Sequence, residues 1–364
     1  MPELEGAVIE SSSPSSKPAN QSSRLLSLPP ELVDRIFSLA ALHGGLPSRP
    51  LCKALLPFFR RSEWAVVATN SDHSVASLAD QVAVKPEKGH LVKRFTVALP
   101  LLAQGSRAPA HLERLQPHLS GLVSLKIKTS RELLQMMLRP SFLEGFPALR
   151  SLELDWYPQP RTPIPCILPP LPSLPNLRNL VVANPCFNDP ALFALLSTPR
   201  ALQYLALYRS PPTPYLALAL KAVQAKSKLQ FLTVHSVRPD PYASNTTPSR
   251  LPLLGRFSSL QFLSVEELDI VSLWSYLYQP AAANLAHLSL GRGLDVSPLR
   301  SFLRDVVSDK ALPSLKRLTL DLTEYDAWYP VGSSPYGHDR TGLDSILSTV
   351  EARGIRIDGS FLKD

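Results

Sequence analysis

The 364-residue sequence predicts an α/β solenoid, with parallel strands lining the inside of an irregular arc and helices on the outside. The first observation behind this is an apolar row of the form Leu-x-x-Leu-x-Leu, with Val, Ile or Phe allowed. It appears as Val92/Phe95/Val97, Leu122/Leu125/Ile127, Leu149/Leu152/Leu154, Leu177/Leu180/Val182, Leu202/Leu205/Leu207, Leu229/Leu232/Val234, Leu260/Leu263/Val265, Leu285/Leu288/Leu290 and Leu315/Leu318/Leu320. The second is the period: successive first positions lie 30, 27, 28, 25, 27, 31, 25 and 30 residues apart, about the length of one strand-plus-helix unit. A generic core has no reason to repeat in this way.

Within each row the last two apolar positions are two residues apart, so on a strand they point to the same, inward side. The first position anchors the entry to the strand, and the residue between the last two faces outward. Between rows, Asp189-Pro190, Thr213-Pro214 and Ser297-Pro298 place a capping side chain before a proline, the signature of a helix start. Apolar residues at helical spacing follow, as in Leu192, Leu195 and Leu196, or Leu299, Phe302 and Leu303. Strand, turn, helix, turn is the unit of a leucine-rich repeat. The position after the strand, where such repeats often carry Asn or Cys, holds Tyr157, Pro185, Ser210, Val237, Leu268, Gly293 and Thr323, so no asparagine ladder is expected. A helix over Leu343 to Val350 followed by Gly354-Ile355-Arg356-Ile357 reads as a closing unit that covers the last apolar face.

Three insertions follow strands: Tyr157 to Pro175, Arg238 to Pro252, and Thr323 to Arg340. The third carries Tyr325, Trp328, Tyr329 and Tyr336, and exposed Trp and Tyr are favoured anchors, so these four are candidate substrate contacts. Simple tolerance of loop insertion explains the first two equally well.

The net charge is +8, but Arg60-Arg61, Lys93-Arg94, Lys126 with Lys128, Lys226 with Lys228 and Lys316-Arg317 are short clusters separated by apolar positions. That is the pattern of solvated repeat edges and not of a nucleic-acid groove. Cys52, Cys166 and Cys186 are too few and too far apart for a disulfide framework or a zinc site, which points to a reducing compartment, cytoplasmic or nuclear. No run of eighteen apolar residues offers a membrane span. No Gly-rich phosphate loop, HExxH or GxSxG occurs, and Glu324, Asp326 and His338 share a loop without anything in sequence to position them. The expectation is a non-enzyme without cofactor or metal.

Residues 1–23, rich in Ser, Pro and charge, read as a disordered tail. Residues 24–66 read as a helical module ahead of the solenoid at 67–364. Here Leu28-Pro29-Pro30-Glu31-Leu32-Val33-Asp34-Arg35-Ile36-Phe37 sets Leu32, Ile36 and Leu39 on one helical face, and a second helical stretch runs from about Leu51 to Arg61. This run, with Leu51-Cys52-Lys53-Ala54-Leu55-Leu56-Pro57 after it, resembles an F-box, and its order before repeats resembles the F-box/leucine-rich-repeat family of fungal type. The resemblance implies that Leu28, Pro29, Leu32, Ile36, Leu51, Leu55 and Leu56 dock on a Skp-type adaptor. That adaptor would link the chain to a cullin-RING ubiquitin ligase while the repeats hold a protein substrate. The alternative is a repeat scaffold with no ubiquitin role, whose N-terminal helices cap the solenoid.

Overall fold

The computed structural model describes residues 25, 27–42, 53–99, 106–156, 174–183, 195–210, 220, 223, 228–236, 256–266, 273, 276–291, 296–308, 310–321 and 340–360. The chain divides into two units, Met1–Val66 and Val67–Asp364.

In the first unit, helix α1 (Pro30–Leu42) is followed by a single 3-10 turn (Lys53–Leu55) and helix α2 (Leu56–Ser62). Pro30 opens α1 where its missing N–H costs nothing, and the helical ladder begins with Val33 N–H donating to the Pro29 carbonyl at 3.2 Å. Val33 and Phe37, four residues apart, bury one side of α1 against Leu55 and Phe59, with Leu25, Leu28 and Phe58 closing the edges. Arg61 ties the two helices together, its Nε lying 3.2 Å from the Asp34 carboxylate and its guanidinium 4.9 Å from the Phe58 ring centre. The helix expected from about Leu51 starts later among the described residues, at Leu56. Pro57 sits in its first turn and has no N–H to give to a preceding turn, so the segment before it is 3-10.

The second unit is built on one eleven-stranded sheet in which every strand lies beside its sequence neighbours. The strands are β1 (Val66–Thr69), β2 (Arg94–Leu99), β3 (Ser124–Thr129), β4 (Ser151–Trp156), β5 (Asn179–Ala183), β6 (Tyr204–Ser210), β7 (Phe231–Ser236), β8 (Phe262–Glu266), β9 (His287–Leu290), β10 (Arg317–Asp321) and β11 (Arg356–Ser360). All pairs from β2 to β11 are parallel. Nine strands carry the nine rows; β1 and β11 extend the array beyond them.

Register explains why the row is spaced as it is. The second apolar positions pair strand to strand, Phe95 with Leu125, then Leu152, Leu180, Leu205, Leu232, Leu263, Leu288 and Leu318. The third positions pair likewise from Val97 to Leu320, and members of both ladders are buried. Just ahead of each strand from β2 to β9 one carbonyl accepts two N–H groups of the next unit, as in Arg150 O from Arg178 and Asn179, Gln203 O from Gln230 and Phe231, and Gln230 O from Gln261 and Phe262. The bifurcated bond locks each unit to its neighbour whatever the side chain there is, so the period survives irregular loops.

Helices satisfy the other side of the ladders. Val75, Leu78, Ala79 and Val82 of α3 (Asp72–Val84) are buried, as are Leu112 and Leu115 in helix Ala108–Leu115 and Leu299, Phe302, Leu303 and Val306 in helix Val296–Val307. Ser71 and Ser74 form a capping box that starts α3. The last of these helices begins at Val296, not after Ser297, and Pro298 remains in the first turn where no N–H is needed. Of the other two expected starts, 189–190 and 213–214 lie outside the described residues, while Leu195 and Leu196 are buried. At the C-terminus, helix Arg340–Ala352 ends at Gly354, whose φ of +79° few other residues adopt without strain; the chain then buries Ile355 and adds β11.

Tyr276 is 1% exposed, and its hydroxyl finds no hydrogen-bond partner among the described residues. Burial accordingly pushes this phenol far up. Tyr276→Phe keeps the ring and removes the orphan group, so urea denaturation of the variant is expected to show a gain of roughly 1 kcal/mol.

Candidate functional site

Two surfaces stand out, one in each unit. On α1 the residues Leu32, Ile36 and Leu39 follow one another at i, i+4 and i+7, which aligns them in a stripe roughly 100° round the helix from Val33 and Phe37. They are 46%, 41% and 47% exposed, whereas Val33 and Phe37 are 2% and 5% exposed. The helix is therefore apolar on two sides: one closes its own small core and the other meets solvent. Exposed large apolar side chains aligned in this manner mark an interaction surface.

Of the residues expected to bind an adaptor, Leu32 and Ile36 lie on this stripe, Pro29 is exposed ahead of it and Leu28 is half-buried at the edge of the core. Leu55 is fully buried against Val33 and Phe37, so it supports the helix from beneath instead of offering contact surface. Leu56 is half-buried, and Leu51 lies outside the described residues. Leu39, which the sequence also placed on this face, joins the stripe.

The second surface is the side of the sheet that faces away from the apolar ladders. At the first residue of successive strands stand Tyr204, Phe231, Phe262 and His287, with ring centres 6.2, 6.1 and 4.6 Å apart. Further along the strands Tyr208 and His235 meet edge to face at 5.1 Å. The two aromatic rows flank Ala206, Thr233 and Ser264, which are buried although they lie on the open side. Burial, helped by a hydrogen bond with Tyr204 and the charge of Glu153, pushes the Tyr208 phenol up to about 12.

Beside the aromatic row the side chains become small. Ser124, Ser151 and Asn179 occupy the same register position on β3, β4 and β5. The step from Asn179 up to Tyr204 creates a cavity of ≈ 340 Å³ lined by Ser151, Asn179, Val181, Gln203, Tyr204 and Phe231. Its acidic neighbours are matched with bases, Glu153 with Lys126 at 2.5 Å and Asp155 with Lys128 at 3.1 Å. These pairs are partly solvent-exposed and contribute less than about 1 kcal/mol each.

This aromatic row was missed in the sequence, although its signal is there. The two residues within the row read Leu202-Gln203-Tyr204-Leu205, Leu229-Gln230-Phe231-Leu232 and Leu260-Gln261-Phe262-Leu263, a triplet of Gln-aromatic pairs. The expected contacts Tyr325, Trp328, Tyr329 and Tyr336, and the loop residues Glu324, Asp326 and His338, lie outside the described residues. So do nearly all of the three insertions.

His287 ends the row, its Nε2 2.9 Å from the Thr319 hydroxyl. Burial, reinforced by Arg317 and opposed by Asp358, lowers its pKa from the ordinary value of 6.5. The unfolded chain therefore takes up this proton first: stability falls as pH drops below about 6.5 and levels off beneath the depressed folded value. Melting temperatures of wild type and His287→Gln between pH 7.5 and 5 are expected to show a smaller acid loss in the variant.

No family model matches the chain, and no curated protein matches it either. Among the described residues, no helix is long and apolar enough to cross a membrane.

Proposed function

We propose that this chain is a substrate-recognition subunit of a cullin-RING ubiquitin ligase of the Skp-adaptor type. In this reading it is an F-box module followed by degenerate leucine-rich repeats, working in the cytoplasm or nucleus. The observation that carries the reading is the exposed stripe of Leu32, Ile36 and Leu39 on α1. Among the described residues α1 builds its core with Val33 and Phe37, which leaves these three large apolar side chains outside that core. Together with the Leu-Pro-Pro-Glu run that starts the helix and the repeat-bearing unit behind it, the stripe supports docking on an adaptor. The open face of the sheet supports the other half of the role, holding a protein substrate without reacting with it.

A substrate receptor of this kind performs no bond chemistry. Its work is to fix one protein beside another, so that transfer becomes effectively intramolecular. Binding of the purified intact chain to a purified Skp-type adaptor, measured by calorimetry, tests the reading. One-to-one binding supports it; no heat with a properly folded chain removes it, leaving a repeat scaffold.

A further inference from the structure

We infer that the open face between β4 and β8 is a docking site for an extended peptide in which anionic groups stand between aromatic side chains. This deepens the proposed substrate-holding role and rests on it.

The apolar half of the site is the row Tyr204, Phe231 and Phe262. Neighbouring rings lie 6.1–6.2 Å apart with planes inclined at 37°, so they partly cover one another's faces and turn their edges to solvent. Ring edges carry the positive end of the aromatic quadrupole and favour the face of an incoming ring. The cavity beside Tyr204 takes the neighbouring residues of the same peptide. Strands are about 4.8 Å apart, so the path from β4 to β8 spans about 19 Å, the length of about six extended residues.

Charge selects the partner. At the first residue of each strand and the one before it, the charged residues are Lys93 and Arg94, Arg150, Arg178, Lys316 and Arg317, and Arg356; Arg317 and Arg356 are both paired with Asp358. Arg150 and Arg178 directly precede Ser151 and Asn179 in the cavity wall, and both are exposed. The acids Glu153 and Asp155 lie deeper along the strands, each beside a lysine. Between β4 and β8 the charges at these positions are Arg150 and Arg178 alone, so two exposed cations stand at the cavity end of the aromatic row, complementary to carboxylates or phosphates beside an aromatic residue. Single-stranded nucleic acid fits less well: it needs open ring faces for stacking and cations that follow its backbone, and here the faces are partly covered and the cations stand at one end.

The test uses the intact chain and fluorescein-labelled peptides in anisotropy titrations. The acidic probe is Gly-Ser-Phe-Glu-Glu-Phe-Ser-Gly; matched probes replace Glu-Glu by Gln-Gln, Glu-Glu by two phosphoserines, or both Phe by Ser. The acidic probe is expected to bind at least about tenfold more tightly than the Gln or Ser probes. Arg150→Glu/Arg178→Glu should abolish the preference for anions, Phe231→Ser should weaken all Phe probes, and Arg304→Glu, on a helix away from this face, should change nothing. Tighter binding of the phosphoserine probe identifies phosphate as the anion read, and equal or weaker binding identifies carboxylate. Equal binding of acidic and Gln probes, saturation by none of them, or stronger binding of oligouridine overturns the inference. Adaptor binding measured on the same preparation separates the two claims, since a chain that binds adaptor but fails to discriminate the peptides refutes only this one.

Discussion

Leu232→Asp is expected to unfold the second unit, while Phe231→Asp, one residue earlier, leaves it folded. Leu232 is fully buried and pairs with Leu205 on one side and Leu263 on the other, in the middle of the sheet. Truncation to alanine there would cost about 2–5 kcal/mol, and a carboxylate adds the penalty of an unpaired buried charge, so the loss exceeds about 5 kcal/mol. In a stacked array each unit is held mainly by its neighbours, so a break at β7 deprives both flanks of an interface. Phe231 points the other way and is 37% exposed; its replacement forfeits ring contacts with Tyr204 and Phe262 worth on the order of 1 kcal/mol. Circular dichroism and urea titration of the pair decide the matter. Equal losses in both variants would contradict the facing assigned to β7.

What was legible in the sequence was whatever repeated. Leucine at fixed spacing specifies strand, face and register at once, because a one-residue slip would turn every buried side chain to solvent. The same logic hid the first strand. β1 reads Val66-Val67-Ala68-Thr69, with none of the row's leucines, and only its pairing beside β2 makes it part of the sheet. The aromatic row was hidden for a different reason. Positions that face solvent are free to vary, so Tyr204, Phe231 and Phe262 look like ordinary variable residues until parallel pairing brings them side by side. On α1 a helical wheel groups Leu32, Ile36 and Leu39 correctly but cannot say which apolar face is covered. That Leu55 sits beneath Val33 and Phe37 is a matter of tertiary packing.

The second large effect is expected at that stripe. Leu32→Asp/Ile36→Asp places two carboxylates at positions 46% and 41% exposed, where water can solvate them, so the cost to folding is small. In a docked complex the same two carboxylates would be stripped of water inside an apolar contact, without partners. Loss of two apolar anchors and burial of two charges should weaken binding by at least about 100-fold, or about 2.7 kcal/mol. Val33→Asp would not serve, since it strikes the core of the unit and would abolish binding by unfolding.

Calorimetric titration of a purified Skp-type adaptor into the intact chain and into Leu32→Asp/Ile36→Asp, with matched circular dichroism spectra, bears most directly on the proposed role. A receptor of this class predicts one-to-one binding by the intact chain and its near-complete loss in the equally folded variant. Binding that is unchanged by the two substitutions, or absent from the intact chain, contradicts it.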